Sequence, residues 1–309
     1  MGTILLYYKY CIITDPTAIM HEQRTLCQKL GLKGRILIAR EGINGTVGGS
    51  AEAAQEYRTY MRNHELFSTI DFKEAPGSAD HFPRLQIKVK KEIVRLGIDP
   101  ALRPIEKTGA HLQPAQVHEL ISKKPDNLII LDARNNYESA IGAFEGAIKP
   151  SIDNFRDLPG YIDQNLELFK DKQVLMYCTG GIRCETASAY LNTKNIAQAV
   201  YQIEGGICRY VEEYPEGYFK GKNYVFDGRI AVPVTNDILT ECLMCLTSCD
   251  DYTNCINAAC NRQVILCPPC LEKFNNTCSA QCLELVRTHQ VVIRTVPKKT
   301  TSHLQSCSL

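Results

Sequence analysis

The stretch MYCTGGIRCE, residues 176–185, holds two cysteines six residues apart, with Thr179, Gly180, Gly181, Ile182 and Arg183 between them. The apolar run VLMY leads into Cys178, and a helical pattern begins near Arg183. A cysteine at the carboxyl end of a parallel strand, just before a helix, occupies the edge where α/β sheets bind ligands. Gly180 and Gly181 let the backbone curl so that several N–H groups can aim at one sulfur. Those donors, the helix dipole and Arg183 all favour thiolate over thiol. The competing reading is a buried cysteine that merely ends a strand, but glycines, an arginine and a helix start together favour a reactive sulfur. Cys184 follows the spacing of Ala187 and Leu191 and reads as helix packing, with a resolving thiol as its alternative.

A second chemical cluster lies near the end of the chain. Of fifteen cysteines, nine fall between residues 242 and 282. Cys242 with Cys245 and Cys267 with Cys270 form two C-x-x-C pairs with 21 residues between them, the pattern of a four-cysteine zinc site. Cys249, Cys255, Cys260, Cys278 and Cys282 leave four ligands for a second site and one spare. Zinc is weighed against reduced thiols or adventitious disulfides, and an iron–sulfur cluster is the less favoured metal reading. A segment this poor in apolar residues would draw much of its folding energy from such a metal.

The elements that must position these groups can be read from periodicity. Residues 4–13 form a strand. Asp15-Pro16 starts a helix with Ile19, Gln23, Leu26, Cys27 and Leu30 on one face. Residues 35–39 and 45–48 are strands joined through Glu41-Gly42-Ile43-Asn44, where Gly42, Asn44 and Gly45 favour a tight turn over a catalytic role for Glu41 and Asn44. Ser50 caps a second helix carrying Ala54, Tyr57 and Met61. Strands near 71–73 and 84–94 complete a βαββαβ unit, predicting a ferredoxin-like α+β domain over 1–98. On the last strand Arg84, Lys88 and Lys90 share a face, either solvated or contacting phosphates.

A linker at 99–110 follows, then a domain over 111–224 in which strands 127–132, 174–177 and 199–203 alternate with helices. This is the pattern of a parallel sheet covered on both faces. Asp132 and Arg134, at the end of a buried strand, read as a pair that fixes a loop. A cysteine-rich region spans 225–296, and 297–309 is polar and expected to be disordered.

The formal charge of +1 excludes global basicity but not a local basic face. With 44% hydrophobic and 22% charged residues, the composition is that of a soluble protein, and no run long enough for a membrane span occurs. The opening MGTILLYYKYCIITD has no basic n-region and no small-residue cleavage site. A first strand is therefore expected instead of a signal peptide, and a reducing cytoplasm as the setting. No organic-cofactor motif is present.

CTGGIR resembles the C-x-x-G-x-R active-site loop of rhodanese domains. Residues 132–150, DARNNYESAIGAFEGAIKP, are similar to that family's first signature at Asp132, Arg134, Glu138, Gly142, Phe144 and Gly146. Ala143 departs from it, standing where many rhodaneses place His. AREGINGTVGGS (39–50) and the cysteine-rich stretch with DYTNC (251–255) extend the resemblance over roughly residues 1–290, to the bacterial tRNA uridine hydroxylase family. That resemblance implies an oxidoreductase that hydroxylates C5 of the wobble uridine, with tRNA bound through its anticodon arm, molecular oxygen as co-substrate and Cys178 as the catalytic residue. Arg183 would stabilise the thiolate or a developing oxyanion. The alternatives are a sulfurtransferase working through a Cys178 persulfide, and a non-catalytic RNA- or protein-binding module.

Overall fold

In the computed structural model, which describes residues 2–103 and 105–294, the chain divides into two units after Asp237. The first unit opens with β1 (Gly2–Tyr10), α1 (Pro16–Lys29), β2 (Lys33–Ala39), β3 (Gly42–Ser50), α2 (Ala51–Asn63), β4 (Asp71–Pro76) and β5 (Leu85–Val89). The local reasons are those expected. Asp15 accepts the N–H groups of Thr17 and Ala18, and Ser50 accepts that of Ala53, so each side chain satisfies helix donors that have no partner within the helix. Ile19, Gln23, Leu26 and Cys27 are buried on α1, and Ala54, Tyr57 and Met61 on α2. The sheet order is β4-β1-β3-β2-β5, antiparallel except that β5 runs parallel to β2. This is a ferredoxin-like sheet with one strand added at its edge.

Two details differ from expectation. The turn is only Arg40-Glu41, and Gly42, Ile43 and Asn44 already belong to β3. Gly42 serves close packing: at φ +145° a Cβ there would sit 2.0 Å from the Lys9 carbonyl oxygen of the neighbouring strand. The last strand ends at Val89, well before residue 94. Glu41 pulls the chain away by accepting the Ile93 N–H at 2.9 Å, and Asn44 donates to the Ile93 carbonyl at 2.9 Å. Beyond it, Leu96 packs into the next domain's core, and buried Arg103 pairs with both Glu41 and Glu92. The segment predicted as a linker is thus reached through a docked stretch.

The next elements are β6 (Ala110–Leu112), α3 (Pro114–Lys123), β7 (Leu128–Asp132), α4 (Asn136–Ala140), β8 (Gly142–Phe144), α5 (Leu158–Gln164), α6 (Leu166–Phe169), β9 (Gln173–Tyr177), α7 (Ile182–Thr193), β10 (Ala199–Ile203), α8 (Gly206–Glu213), β11 (Phe219–Tyr224) and β12 (Ala231–Pro233). β6-β10-β9-β7 form a parallel sheet. Along β9, Val174 and Met176 join the core with Leu131, Ala187 and Leu191, whereas Leu175 and Tyr177 join Ile203, Ile207 and Phe219. A strand buried on both faces explains its unbroken apolar run. A small antiparallel sheet, β12-β11-β8, lies beside it. Because β12 pairs with β11, residues 225–237 belong with the first unit and not with the cysteine-rich region.

The second unit holds β13 (Tyr252–Asn254), β14 (Gln263–Ile265), α9 (Pro268–Lys273) and α10 (Ala280–Arg287). Its buried cluster consists of seven cysteines with Val264 and Leu266. Residues 297–309, expected to be disordered, lie outside the described residues. Among the described residues no helix is long and apolar enough to cross a membrane.

Candidate active site

β9 delivers Cys178 to the carboxyl edge of the parallel sheet, and the loop to α7 folds back over its sulfur. The Gly181 N–H donates to Cys178 Sγ at 3.2 Å. Gly181 is the N-cap of α7 at φ +97°, a conformation that a side chain would strain. The Cys178 side chain is fully buried. That burial opposes ionisation, but the adjacent Cys184 thiol, the Arg183 charge and the N–H groups of Arg183 and Gly181 outweigh it, bringing the pKa from 9.0 down to about 5. The balance of these influences favours thiolate over thiol at neutral pH. Cys184 is buried and its own pKa is pushed up, by burial first and then by the neighbouring Cys178 sulfur. It does pack in the core as expected, and it also serves the thiolate as a neutral partner.

Arg183 is fixed by a side chain that the sequence reading matched to a motif without assigning it a task. Its Nη1 and Nη2 donate to the two oxygens of Glu138 at 2.6 and 2.7 Å. Glu138 is fully buried on α4 and also accepts the Asn135 N–H. Both Nη atoms are thus held by a carboxylate, and Arg183 acts on Cys178 through its charge. Asp132 and Arg134 do fix a loop: Arg134 holds Asp132 through two nitrogens and donates to the Gly142 carbonyl, and the Tyr177 hydroxyl donates to Asp132 at 2.7 Å. Tyr177 immediately precedes Cys178, so this buried network anchors the strand end that carries the sulfur.

Two further contributors escaped the sequence reading. The turn from β10 into α8 presses on the Cys178 loop, where Ile207 and Cys208 N–H groups donate to the carbonyls of Cys178 and Thr179 at 3.0 and 3.1 Å. A Cβ on Gly206, at φ +66°, would sit 2.5 Å from the Cys178 carbonyl oxygen. The available signal was Gly205-Gly206 one residue after a buried strand. The other contributor is β1. Gly180 lies against Leu6, and Gly181 against the Tyr8 hydroxyl. That hydroxyl donates to Glu185 at 3.0 Å, and Glu185 also meets Thr108, His111 and Gln202. Despite its burial, Glu185 stays below the usual carboxylate range because His111, Thr108 and Tyr8 stabilise its charge. Period-two alternation places Tyr7 in the domain core and Tyr8 on the other face of β1, forming one wall of the site.

Lys88 is exposed on β5, the edge strand of the first sheet, and Arg84 and Lys90 are exposed immediately before and after it. In the second unit the Sγ atoms of Cys242, Cys245, Cys267 and Cys270 lie within 4.8 Å of one another. Cys255 and Cys260 gather separately, with Cys278 and Cys282.

Residues 2–93 match the UPF0176 acylphosphatase-like domain family, residues 113–213 the rhodanese-like domain family and residues 220–283 the rhodanase C-terminal family. A tRNA uridine(34) hydroxylase of Listeria welshimeri is 41% identical over 284 residues, spanning 90% of this chain and 88% of its own length. One from Corynebacterium jeikeium is 43% identical over 275 residues, spanning 86% and 89%. A third, from Cytophaga hutchinsonii, is 42% identical over 282 residues, spanning 90% and 89%.

Proposed function

The chain belongs to the tRNA uridine(34) hydroxylase family, and from that premise we propose that it converts the wobble uridine of tRNA to 5-hydroxyuridine. Molecular oxygen is the co-substrate, and Cys178 is the reactive thiol. The observation that carries the residue assignment is the Cys178 cradle, a buried sulfur that accepts the Gly181 N–H at the start of α7 beside the Arg183–Glu138 ion pair. A thiolate is required for addition to C6 of the uracil ring. Addition forms a C–S bond at C6 and moves the electron pair toward C5 and the O4 carbonyl, as an enolate. C5 is the carbon to be oxidised. One atom of O2 then becomes the C5 hydroxyl, while a two-electron donor and two protons reduce the other to water. Loss of the C5 proton and expulsion of the sulfur restore the 5,6 double bond and the thiolate. Thr179, Gly180, Gly181 and Ile182 form the loop that fixes the sulfur, and Arg183 holds it ionised.

An anticodon loop suits a sulfur this deeply placed, because its unstacked bases can be splayed into a pocket as duplex bases cannot. Contact with the anticodon arm through Arg84, Lys88 and Lys90 belongs to the same proposal, as does a cytoplasmic setting, where tRNA is found. The test is nucleoside mass spectrometry of tRNA from cells whose only copy carries Cys178→Ser. Loss of 5-hydroxyuridine with thiolated nucleosides unchanged is expected. Retained 5-hydroxyuridine refutes the assignment, and loss of thiolated nucleosides instead would establish sulfur transfer through a Cys178 persulfide.

A further inference from the structure

The second unit has a central buried cluster dominated by cysteines. Two buried aliphatic side chains, Val264 and Leu266, share it with seven cysteines, Met244, Ile265, Leu271 and Phe274 pack against it, and no described cysteine forms a disulfide. The cysteines fall into two sets of four. Cys242, Cys245, Cys267 and Cys270 make one set, and Cys255, Cys260, Cys278 and Cys282 the other. Cys249 belongs to neither, although it lies in the same buried cluster.

Three observations give the sets a meaning. The first is distance. Sγ–Sγ separations are 3.5 Å for Cys245 and Cys267, 3.5 Å for Cys260 and Cys278, and 3.8 Å for Cys278 and Cys282. A tetrahedron of sulfurs at Zn–S distances of about 2.3 Å has edges of about 3.8 Å. The sulfurs therefore stand at ligand spacing, far outside the ~2.05 Å of a disulfide. The second is the surrounding donors. The Cys267 N–H donates to Cys242 Sγ at 3.3 Å, and Asn257 Nδ2 donates to Cys282 Sγ at 3.5 Å. Such donors neutralise part of the thiolate charge around a metal and orient its ligands. The third is order along the chain: the pairs alternate as first set, second set, first set, second set. Each closed loop therefore contains ligands of the other, and neither half of the segment can form a site alone.

We propose that this unit is a cross-braced module holding two Zn2+ ions, one on each four-cysteine set. Four thiolates are a soft, closed coordination shell, which suits a structural zinc that keeps no position open for substrate. The proposal goes beyond the assignment of Cys178 and stands whatever reaction that residue performs. Each set has three buried sulfurs and one exposed, Cys245 in the first and Cys260 in the second. These exposed ligands give the gentlest perturbation.

The test uses the full chain, purified anaerobically with reductant. Elemental analysis should find two zinc per chain, and Cys249→Ser should keep both. Cys245→Ser and Cys260→Ser should each fall to one. Alkylation of the one-zinc Cys260→Ser protein with N-ethylmaleimide, mapped by peptide mass spectrometry, should spare Cys242, Cys245, Cys267 and Cys270 together. If that variant holds no metal, chelated wild type given one equivalent of Zn2+ and sorted by native mass spectrometry provides the same map: each molecule spares one complete set of four. Iron in place of zinc, fewer than two ions in the wild type, loss of zinc in Cys249→Ser, or joint protection of Cys242 and Cys245 with Cys255 and Cys260 would each overturn the proposal.

Discussion

Removing the Arg183 charge should raise the Cys178 pKa without displacing the sulfur. Arg183→Gln alone would leave Glu138 buried and unpaired, a loss of about 3–5 kcal/mol that would confuse folding with chemistry. The informative variant is Arg183→Gln with Glu138→Gln, in which two amides replace the ion pair. Of the influences that bring Cys178 to about 5, the N–H groups and the Cys184 thiol remain. An opposite charge at close range lowers a pKa by roughly 1–3, and removing the Glu138 carboxylate with it takes back part of that effect, so the variant thiol should titrate about 1 higher, at about 6. At pH 6 the thiolate fraction then falls from about 90% to about 50%, while at pH 8 it stays above about 95%. The effect is therefore close to twofold at pH 6 and nearly absent at pH 8.

Iodoacetamide alkylation followed across pH, with fragment spectra separating Cys178 from Cys184, reads this directly. The sign is fixed: a depressed thiol pKa means that reactivity is lost as pH falls through it, so the variant's acid limb must move upward. A limb that stays near pH 5 would refute the view that the Arg183 charge reaches the sulfur. Hydroxylation measured at the same two pH values separates a second idea. An equal fall at pH 6 and pH 8 would mean that Arg183 touches the substrate directly, because loss of thiolate alone cannot act at pH 8.

Gly206→Ala places a methyl group against the Cys178 carbonyl at φ +66°, so it should cost about 1–3 kcal/mol in thermal unfolding and abolish cellular 5-hydroxyuridine. An unchanged melting temperature with normal 5-hydroxyuridine would show that the α8 turn does not hold the loop. For the basic edge strand, Lys88→Glu with Lys90→Glu should weaken tRNA binding in filter assays and reduce the slope of log affinity against log salt by about two. An unchanged slope assigns both lysines to a solvated sheet face.

Legibility followed sequence distance. The first helix could be read because Asp15, Pro16 and the Ile19–Gln23–Leu26 spacing lie within four turns, and the structure buries those positions. The parallel strand could be read because a two-sided core leaves an apolar run. Cys178 and its glycines could be read because a reactive loop packs its requirements into six residues. The Glu138 carboxylate that fixes Arg183 lies 45 positions upstream, on a five-residue helix with no periodicity of its own. Only the motif resemblance touched it. The division of the second unit's cysteines was equally hidden, since spacing supplied one four-cysteine set and left five candidates for the other. Folding excluded Cys249. The turn near Glu41 failed for a different reason: glycine there meets a close strand approach, and composition alone does not distinguish that need from a turn.

Depth and ionisation ordinarily oppose each other, and the arrangement at Cys178 resolves the conflict through geometry. A thiolate sealed from water needs compensating charge and dipoles. It receives the Gly181 and Arg183 N–H groups from the start of α7 and the Arg183 charge, itself neutralised by Glu138. The start of α8 instead binds the Cys178 and Thr179 carbonyls, which stops the loop from relaxing toward solvent. Because no bulk water solvates the sulfur, little hydration must be stripped when a base approaches, and nucleophilicity is preserved. The cost of that burial falls on access. Leu6 and Tyr8 of β1 lie against the two loop glycines, and Tyr8 is tied to Glu185. The first domain thus packs against the Cys178 loop as well as carrying the basic edge strand. On the proposed role of Cys178, a base reaching its sulfur would meet Leu6 and Tyr8, groups that the rhodanese-like domain does not supply, and this would tie the chemistry of the loop to the domain preceding it.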